Sequence, residues 1–198
     1  MKSIRKYAFF ICIVLAMAIG SAKYLSHLST VSNNVNGREL PIYSVETEKK
    51  QVALTFDAAW GNDDVYKILG ILKEHDIKVT FFMTGGWVSE YPDEVKAIYE
   101  AGHDLGNHSE NHKNMSQLSI EQQKNEIMEV HNKVKELTGV KMNLFRAPYG
   151  DYNDQLILNA KDCGYYTLQW DVDTLDTERS VHFKGFLQIV HFFYLVIL

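Results

Sequence analysis

The chain has 198 residues, 46% hydrophobic and 23% charged, which excludes a disordered or low-complexity polymer and fits one globular domain with a real core. A formal net charge of -5 argues against nucleic acid as a partner. Two cysteines, Cys12 and Cys163, are too few for a Cys-rich zinc ribbon, so any metal must be held by histidine and carboxylate.

In chain order, Lys2, Arg5 and Lys6 precede an apolar, uncharged run from Tyr7 to Ala22. That run suits a secretory signal and is short for a full span of ~20 residues. Residues 1–22 therefore read as a signal peptide, with Gly20-Ser21-Ala22 as small residues for cleavage, or as an uncleaved signal anchor. In both cases the basic end stays inside and the rest is exported, free or held on the outer face of the membrane. Residues 23–44 are polar and rich in Ser and Asn, and read as a linker.

From residue 45 the pattern changes. "QVALTFD" predicts a buried strand, "DDVYKILGILKEH" an amphipathic helix with an acidic start, and "KVTFFMT" a second strand. "YPDEVKAIYEAG" predicts a helix with Pro near its first position and Gly after its end, and "HDLGNH" a short strand. A long helix follows, opened by Ser119 and closed by Gly139. "NLFRAP" then predicts a strand, "DYNDQLILNAKDCG" a helix and "YYTLQWDVD" a strand. This alternation predicts an α/β fold with a parallel sheet, whose functional residues gather at the carboxyl ends of strands. The polar residues obey that rule: Asp57 ends the first strand, His108 and His112 follow the third, Arg146 ends the fourth, and Asp171 and Asp173 end the fifth.

Neutral imidazole is a good zinc ligand, and His108 and His112 are four apart, a spacing that fits one helical turn. A zincin protease would need Glu directly after the first histidine; here Ser109 follows, so that class is disfavoured. Alone, "HSENH" reads better as a solvated loop. His103, at the start of its strand, reads as structural. Asp57 reads either as a general base at the sheet rim or as a turn residue; Asp63 and Asp64 already serve the next helix, which leaves Asp57 for the base. In "FRAPYGDYN", Arg146 suits bidentate contact with a carboxylate, and Pro148 and Gly150 shape a turn whose N–H groups suit an oxyanion.

"TFD", "HSENH" and "RAPYG", in this order and spacing, resemble the NodB-homology polysaccharide deacetylases, carbohydrate esterase family 4, over residues 45–176. The resemblance implies a distorted (β/α) barrel with fewer than eight repeats, and a divalent metal, zinc or cobalt. It implies a monomer whose partner is an N-acetylated polysaccharide such as peptidoglycan or a chitin-like chain. His108 and His112 would be metal ligands, Asp57 the base, Arg146 its orienting partner, and Tyr149 the donor of an oxyanion N–H. Pro148 and Tyr149 would also touch substrate.

Two departures from that pattern carry their own expectations. The family's usual second Asp, a metal ligand, is Ala58 here, and Asp64 is the preferred replacement. Asp176 stands where an Asp orients the histidine that protonates the leaving amine, but Thr177 replaces the usual Trp. The only late histidine in the right region is His191, one place too far from Leu187. Residues 177–198 therefore read as an atypical tail, from a shifted frame or a truncation, on a barrel incomplete at its C-terminus and poor in stability or activity.

Overall fold

The computed structural model describes residues 34–45 and 51–173, and the backbone of 186–192. Nine strands are present among these residues: β1 (Asn34–Val35), β2 (Arg38–Glu39), β3 (Gln51–Ala58), β4 (Thr80–Met83), β5 (Asp104–Asn107), β6 (Leu144–Phe145), β7 (Tyr166–Thr167), β8 (Val172–Asp173) and β9 (Phe186–Phe192). Five α-helices accompany them: α1 (Val65–Glu74), α2 (Gly85–Glu90), α3 (Pro92–Glu100), α4 (Ile120–Thr138) and α5 (Asp154–Asp162). The main sheet runs β7-β6-β5-β4-β3-β9-β8. Strands β3 to β7 are parallel neighbours, while β9 runs antiparallel to β3 and β8 antiparallel to β9. The parallel sheet curls into the distorted half-barrel expected from the sequence, with helices in the crossovers.

The central strand explains the layering. In β4, Phe81, Phe82 and Met83 are all buried, as a parallel strand covered on both faces requires. Phe81 stacks on Phe56 of β3 with ring centroids 5.1 Å apart, while Phe82 lies under the Arg146 guanidinium. Opposite faces of one strand thus build the outer core and the floor of the candidate site. His103 is buried beside Phe81 and accepts from the Val79 N–H at 3.4 Å, which fits its structural reading.

Helix ends follow the sequence closely. Ser119 and Gln122 form a capping box at α4, and Gly139 closes it at φ 76°, in the left-handed region. Pro92 sits in the first turn of α3.

Four features differ from the sequence reading. The linker assigned to 23–44 contains the β1–β2 hairpin, turned by Asn36 and Gly37 at φ 53° and 81°, and Ile42 bridges to Leu168 beside β7. Asn-Gly is a strong hairpin signal that the polar composition masked. Helix α2 follows β4 at once, capped by Thr84 accepting from Trp87 N at 3.2 Å; its six residues are too few to show a period. "YYTLQWDVD" is not one strand but β7 and β8, at opposite edges of the sheet. Finally, residues 186–192 of the atypical tail form β9, covering the edge of β3 that the incomplete barrel would have left open.

The signal segment, Asp176 and Thr177 lie outside the described residues. No helix among the described residues is long and apolar enough to cross a membrane.

Candidate active site

Three strand ends converge. Asp57 comes from the end of β3, His108 follows β5 directly, and Arg146 follows β6. Asp57 and His108 are almost wholly buried and Arg146 has no exposed surface. Arg146 Nη1 donates to Asp57 Oδ1 at 2.6 Å and to Thr55 Oγ1 at 2.9 Å. Its guanidinium carbon stands 4.1 Å above the centre of the Phe82 ring. The guanidinium thus gives this buried carboxyl a short charge-assisted hydrogen bond. Arg146 Nε and Nη2 are also buried and have no partner among the described residues.

His108 is oriented by backbone. Its Nδ1 lies 2.9 Å from the Arg146 carbonyl oxygen, which can only accept, so Nδ1 carries the proton and Nε2 keeps its lone pair. Nε2 lies 3.8 Å from Asp57 Oδ2. Burial lowers the His108 pKa against the opposing pull of Asp57, so the imidazole is neutral near pH 7.

His112 reaches the same place by a different route. Residues 108–112 are not one helical turn, as the spacing suggested, but a loop in which Ser109 and His112 have φ values of 66° and 53°. Left-handed backbone at such residues costs on the order of 1 kcal/mol or more each. A web of contacts holds it. Asn107 Oδ1 accepts from Ser109 N at 3.0 Å, Ser109 Oγ from His112 N at 3.1 Å, and Glu126 from both the backbone and side chain of Asn111 at 2.7 and 2.9 Å. Gly85 N donates to the Ser109 carbonyl and Gly86 N to that of Glu110. Glu110 pairs with Lys133 and packs where a Cβ on Gly85 would sit. The His108 and His112 rings end 4.9 Å apart, centre to centre. Burial, and then the neighbouring His108, push the His112 pKa down to about 4. Its buried Nδ1 has no partner among the described residues.

A borderline cation such as zinc asks for neutral imidazoles and carboxylates. Two neutral imidazoles, one with a pinned tautomer and one with an orphaned buried nitrogen, fit that demand in part. The third ligand does not follow. Asp64, the expected replacement for the carboxylate missing at Ala58, stands at the start of α1 with its Oδ1 3.1 Å from Lys67 Nζ. It lines a concavity with Asp57, Ala58 and Trp60, but neither histidine lines that concavity. Among the described residues no three His, Cys, Asp or Glu side chains gather closely enough to hold an ion. Asp64 is thus drawn to its helix and the adjacent lysine.

Pro148 is buried and opens the short 3-10 turn Pro148–Gly150. Tyr149 adopts φ 60° there, and no described residue accepts its N–H. Its ring is 65% exposed and lies edge-to-face with His112, 4.6 Å between centres. Asp171, expected at the converging strand ends, is instead exposed in the bend before β8. Sequence reasoning missed Trp60, which meets His112 at 4.8 Å, and also Asn107, Glu126 and the Gly85–Glu110–Lys133 lock. The only sequence signal for Trp60 is an indole in an otherwise polar loop, "AAWGNDD".

The family model for polysaccharide deacetylases matches residues 44–168. Peptidoglycan-N-acetylmuramic acid deacetylase PdaA of Bacillus subtilis is 34% identical over 135 residues, spanning 68% of this chain and 51% of PdaA. The uncharacterised protein YlxY of the same organism is 35% identical over 139 residues, 70% of this chain and 44% of YlxY. Among solved structures, a carbohydrate esterase family 4 pseudoenzyme from Bacillus anthracis matches with a TM-score of 0.69 at 38% identity, covering 71% of this chain and 50% of that one. A mutant of that pseudoenzyme with restored enzymatic activity matches at 40% identity, also with a TM-score of 0.69, over 71% of this chain and 52% of that one. The chain spans about half the length of the curated relatives it matches. With the strand-end cluster of Asp57, His108 and Arg146 in place, the match over residues 44–168 makes the chain a member of the polysaccharide deacetylase family.

Proposed function

We propose that the chain hydrolyses the N-acetyl groups of a GlcNAc-type polysaccharide, peptidoglycan or a chitin-like polymer, releasing acetate and leaving the amine on the polymer. The observation that carries this reading is the buried Asp57–Arg146 pair at 2.6 Å beside the His108 Nε2 lone pair. His108 and His112 would hold a divalent cation, zinc or cobalt, with water completing its shell. When bound, such a cation polarises an amide carbonyl and acidifies water.

The chain's own groups do the rest. Asp57, oriented by Arg146 through Oδ1, accepts a proton from the attacking water through Oδ2. Water oxygen bonds to the acetyl carbon, and the Tyr149 N–H donates to the carbonyl oxygen as negative charge grows there. The C–N bond then breaks, acetate departs, and the amine nitrogen takes up a proton. Asp176 is retained as the partner of the acid that delivers that proton. Residues 1–22 would direct export or anchor the chain, 23–44 would connect, and the 45–176 domain would meet the polymer outside the membrane.

A second reading, a wall-binding or sporulation protein with impaired catalysis, is favoured by Ala58 and by the likeness to a pseudoenzyme. Acetate release from N-acetylated chito-oligosaccharides, with and without EDTA, separates the two. The enzymatic reading expects EDTA-sensitive release that falls by about 10²–10⁴ in Asp57→Asn, the usual range for a lost general base. The absence of release from wild type, at any added metal, overturns it.

A further inference from the structure

We propose that Trp60 and Tyr149 form an aromatic platform that binds a pyranose ring of the polymer, the ring next to the one whose acetamide reaches His108 and His112. The choice of sugar rests on the deacetylase reading above; the existence of the platform does not.

Exposed aromatic side chains scattered singly need no explanation. These two are not scattered. Trp60 is 53% exposed and Tyr149 65%, and both lie edge-to-face against one half-buried imidazole, His112, with ring centres 4.8 and 4.6 Å away. They come from separate parts of the chain, the β3–α1 loop and the turn after β6. Trp60 also lines the concavity that contains Asp57, so the indole borders the base as well as the histidine.

Both rings stand on fixed backbone. In the Trp60 loop, Gly61 turns at φ +66°, and its carbonyl accepts from the buried Trp87 Nε1 at 2.7 Å. Asn62 Nδ2 donates to Glu94 at 2.7 Å, and Thr84 N to the Ala58 carbonyl at 3.0 Å. At Tyr149 the turn is closed by Gly150 N to Ala147 O at 3.1 Å and Asp151 N to Pro148 O at 3.0 Å, while Gln169 holds the Gly150 carbonyl at 3.2 Å. Holding these loops before the ligand arrives removes part of the ordering cost of binding.

The chemistry matches a sugar. A β-linked hexopyranose presents apolar axial C–H groups on its faces and keeps its hydroxyls at the rim. Large aromatic rings with one part apolar and the rest wet suit such a surface. Neither ring carries charge, so neither offers an ion pair to an anionic ligand.

The test uses the full chain and tetra-N-acetylchitotetraose. Binding is followed by calorimetry and by tryptophan fluorescence in wild type, Trp60→Ala and Trp60→Phe, with circular dichroism to verify the fold of each. Trp87 is buried and Trp170 is half-buried beside Arg146, so the response of the rim indole is read as the difference between wild type and Trp60→Phe. Affinity should fall about tenfold in Trp60→Ala, the size of a lost aromatic contact, and return to within about threefold of wild type in Trp60→Phe. Acetate release, where present, should show the same loss as a raised KM with kcat unchanged. Equal affinity in wild type and folded Trp60→Ala overturns the platform, even if acetate release proves the deacetylase reading right. Binding that depends on Trp60 without acetate release sustains the platform and defeats that reading. A wild type that neither binds nor hydrolyses the tetramer defeats both.

Discussion

His108 and His112 are four residues apart and are held in opposite ways. His108 belongs to the sheet: it follows β5, its Nδ1 is fixed by the Arg146 carbonyl at 2.9 Å, and its Nε2 faces Asp57. His112 belongs to the loops: its backbone is left-handed, its Nδ1 is unmatched among the described residues, and its ring neighbours are the rim aromatics Trp60 and Tyr149. The inner half of the site is therefore as firm as the core beneath it. The outer half is only as firm as the side chains that brace its loop. A change to the core should damage stability and chemistry together, whereas a change to the bracing should separate them.

Arg146→Ala should break the inner half with the largest effect. It strips the cation from buried Asp57 and empties the space above Phe82. Removing one partner of a buried ion pair costs about 3–5 kcal/mol, which for a chain of this size lowers Tm by roughly 6–20 °C. Thermal melts of the two proteins measure it, and a shift below about 3 °C would show that the fold does not depend on the Asp57–Arg146 pair.

Gly106→Ala attacks the same half from below. A Cβ at Gly106 in β5 would overlap the Phe82 ring, which lies between that strand and the guanidinium. The ring must move toward Arg146, at the 1–3 kcal/mol typical of overpacking, about a third to a half of the arginine effect. Urea denaturation gives the size, and loss of acetate release beyond that expected from the unfolded fraction shows that the pair has shifted. Unchanged stability would mean that Phe82 has room the structure does not give it.

The outer half is tested by Ala58→Asp. Ala58 lies at the end of β3, next to Asp57, with its carbonyl tied to Thr84 N. A carboxylate there gives the two histidines the third protein ligand that catalytic zinc sites have. Zinc affinity, read by calorimetry on the apo chain, should rise at least about tenfold. An unchanged affinity would mean that residue 58 cannot reach the ion.

These contrasts also explain what the sequence could and could not tell. Strand ends, caps and the buried run "TFFM" are local patterns, so Asp57, His108, Arg146, Ser119 and Gly139 were placed correctly from residues alone. Features that depend on two distant segments meeting were not visible. Asp64 is close to Ala58 in sequence, yet α1 and Lys67 hold it. Trp60 is one exposed indole in a polar loop until the fold brings Tyr149 to the same imidazole. The split of "YYTLQWDVD" into two edge strands depends on β9, which pairs with both β3 and β8 and carries no family pattern. Backbone pairing overrode the alternation that suggested one strand.

The smallest expected effect lies in the bracing itself and depends on pH. Glu126 on α4 accepts from Asn111 N, Asn111 Nδ2 and Lys113 Nζ, the last at 2.8 Å, and so holds the segment on either side of His112. Burial by itself would raise the Glu126 pKa. The hydrogen bonds from Lys113 and from the Asn111 side chain and backbone outweigh it and leave the folded value below the ordinary 4.5. A carboxyl whose folded pKa is depressed binds its proton more readily when unfolded. Its contribution to stability is therefore complete above about pH 4.5 and is lost as pH falls through the lower folded value. Glu126→Gln removes the titrating group while keeping one acceptor. Its stability should thus be slightly lower than wild type at pH 7 and should decline less steeply between pH 5 and 3. Urea midpoints at pH 7, 5, 4 and 3 measure both slopes. Parallel slopes would show that the charge on Glu126 does not brace the loop, and would leave the left-handed His112 to be held by Ser109 and the Gly85–Glu110 contacts alone.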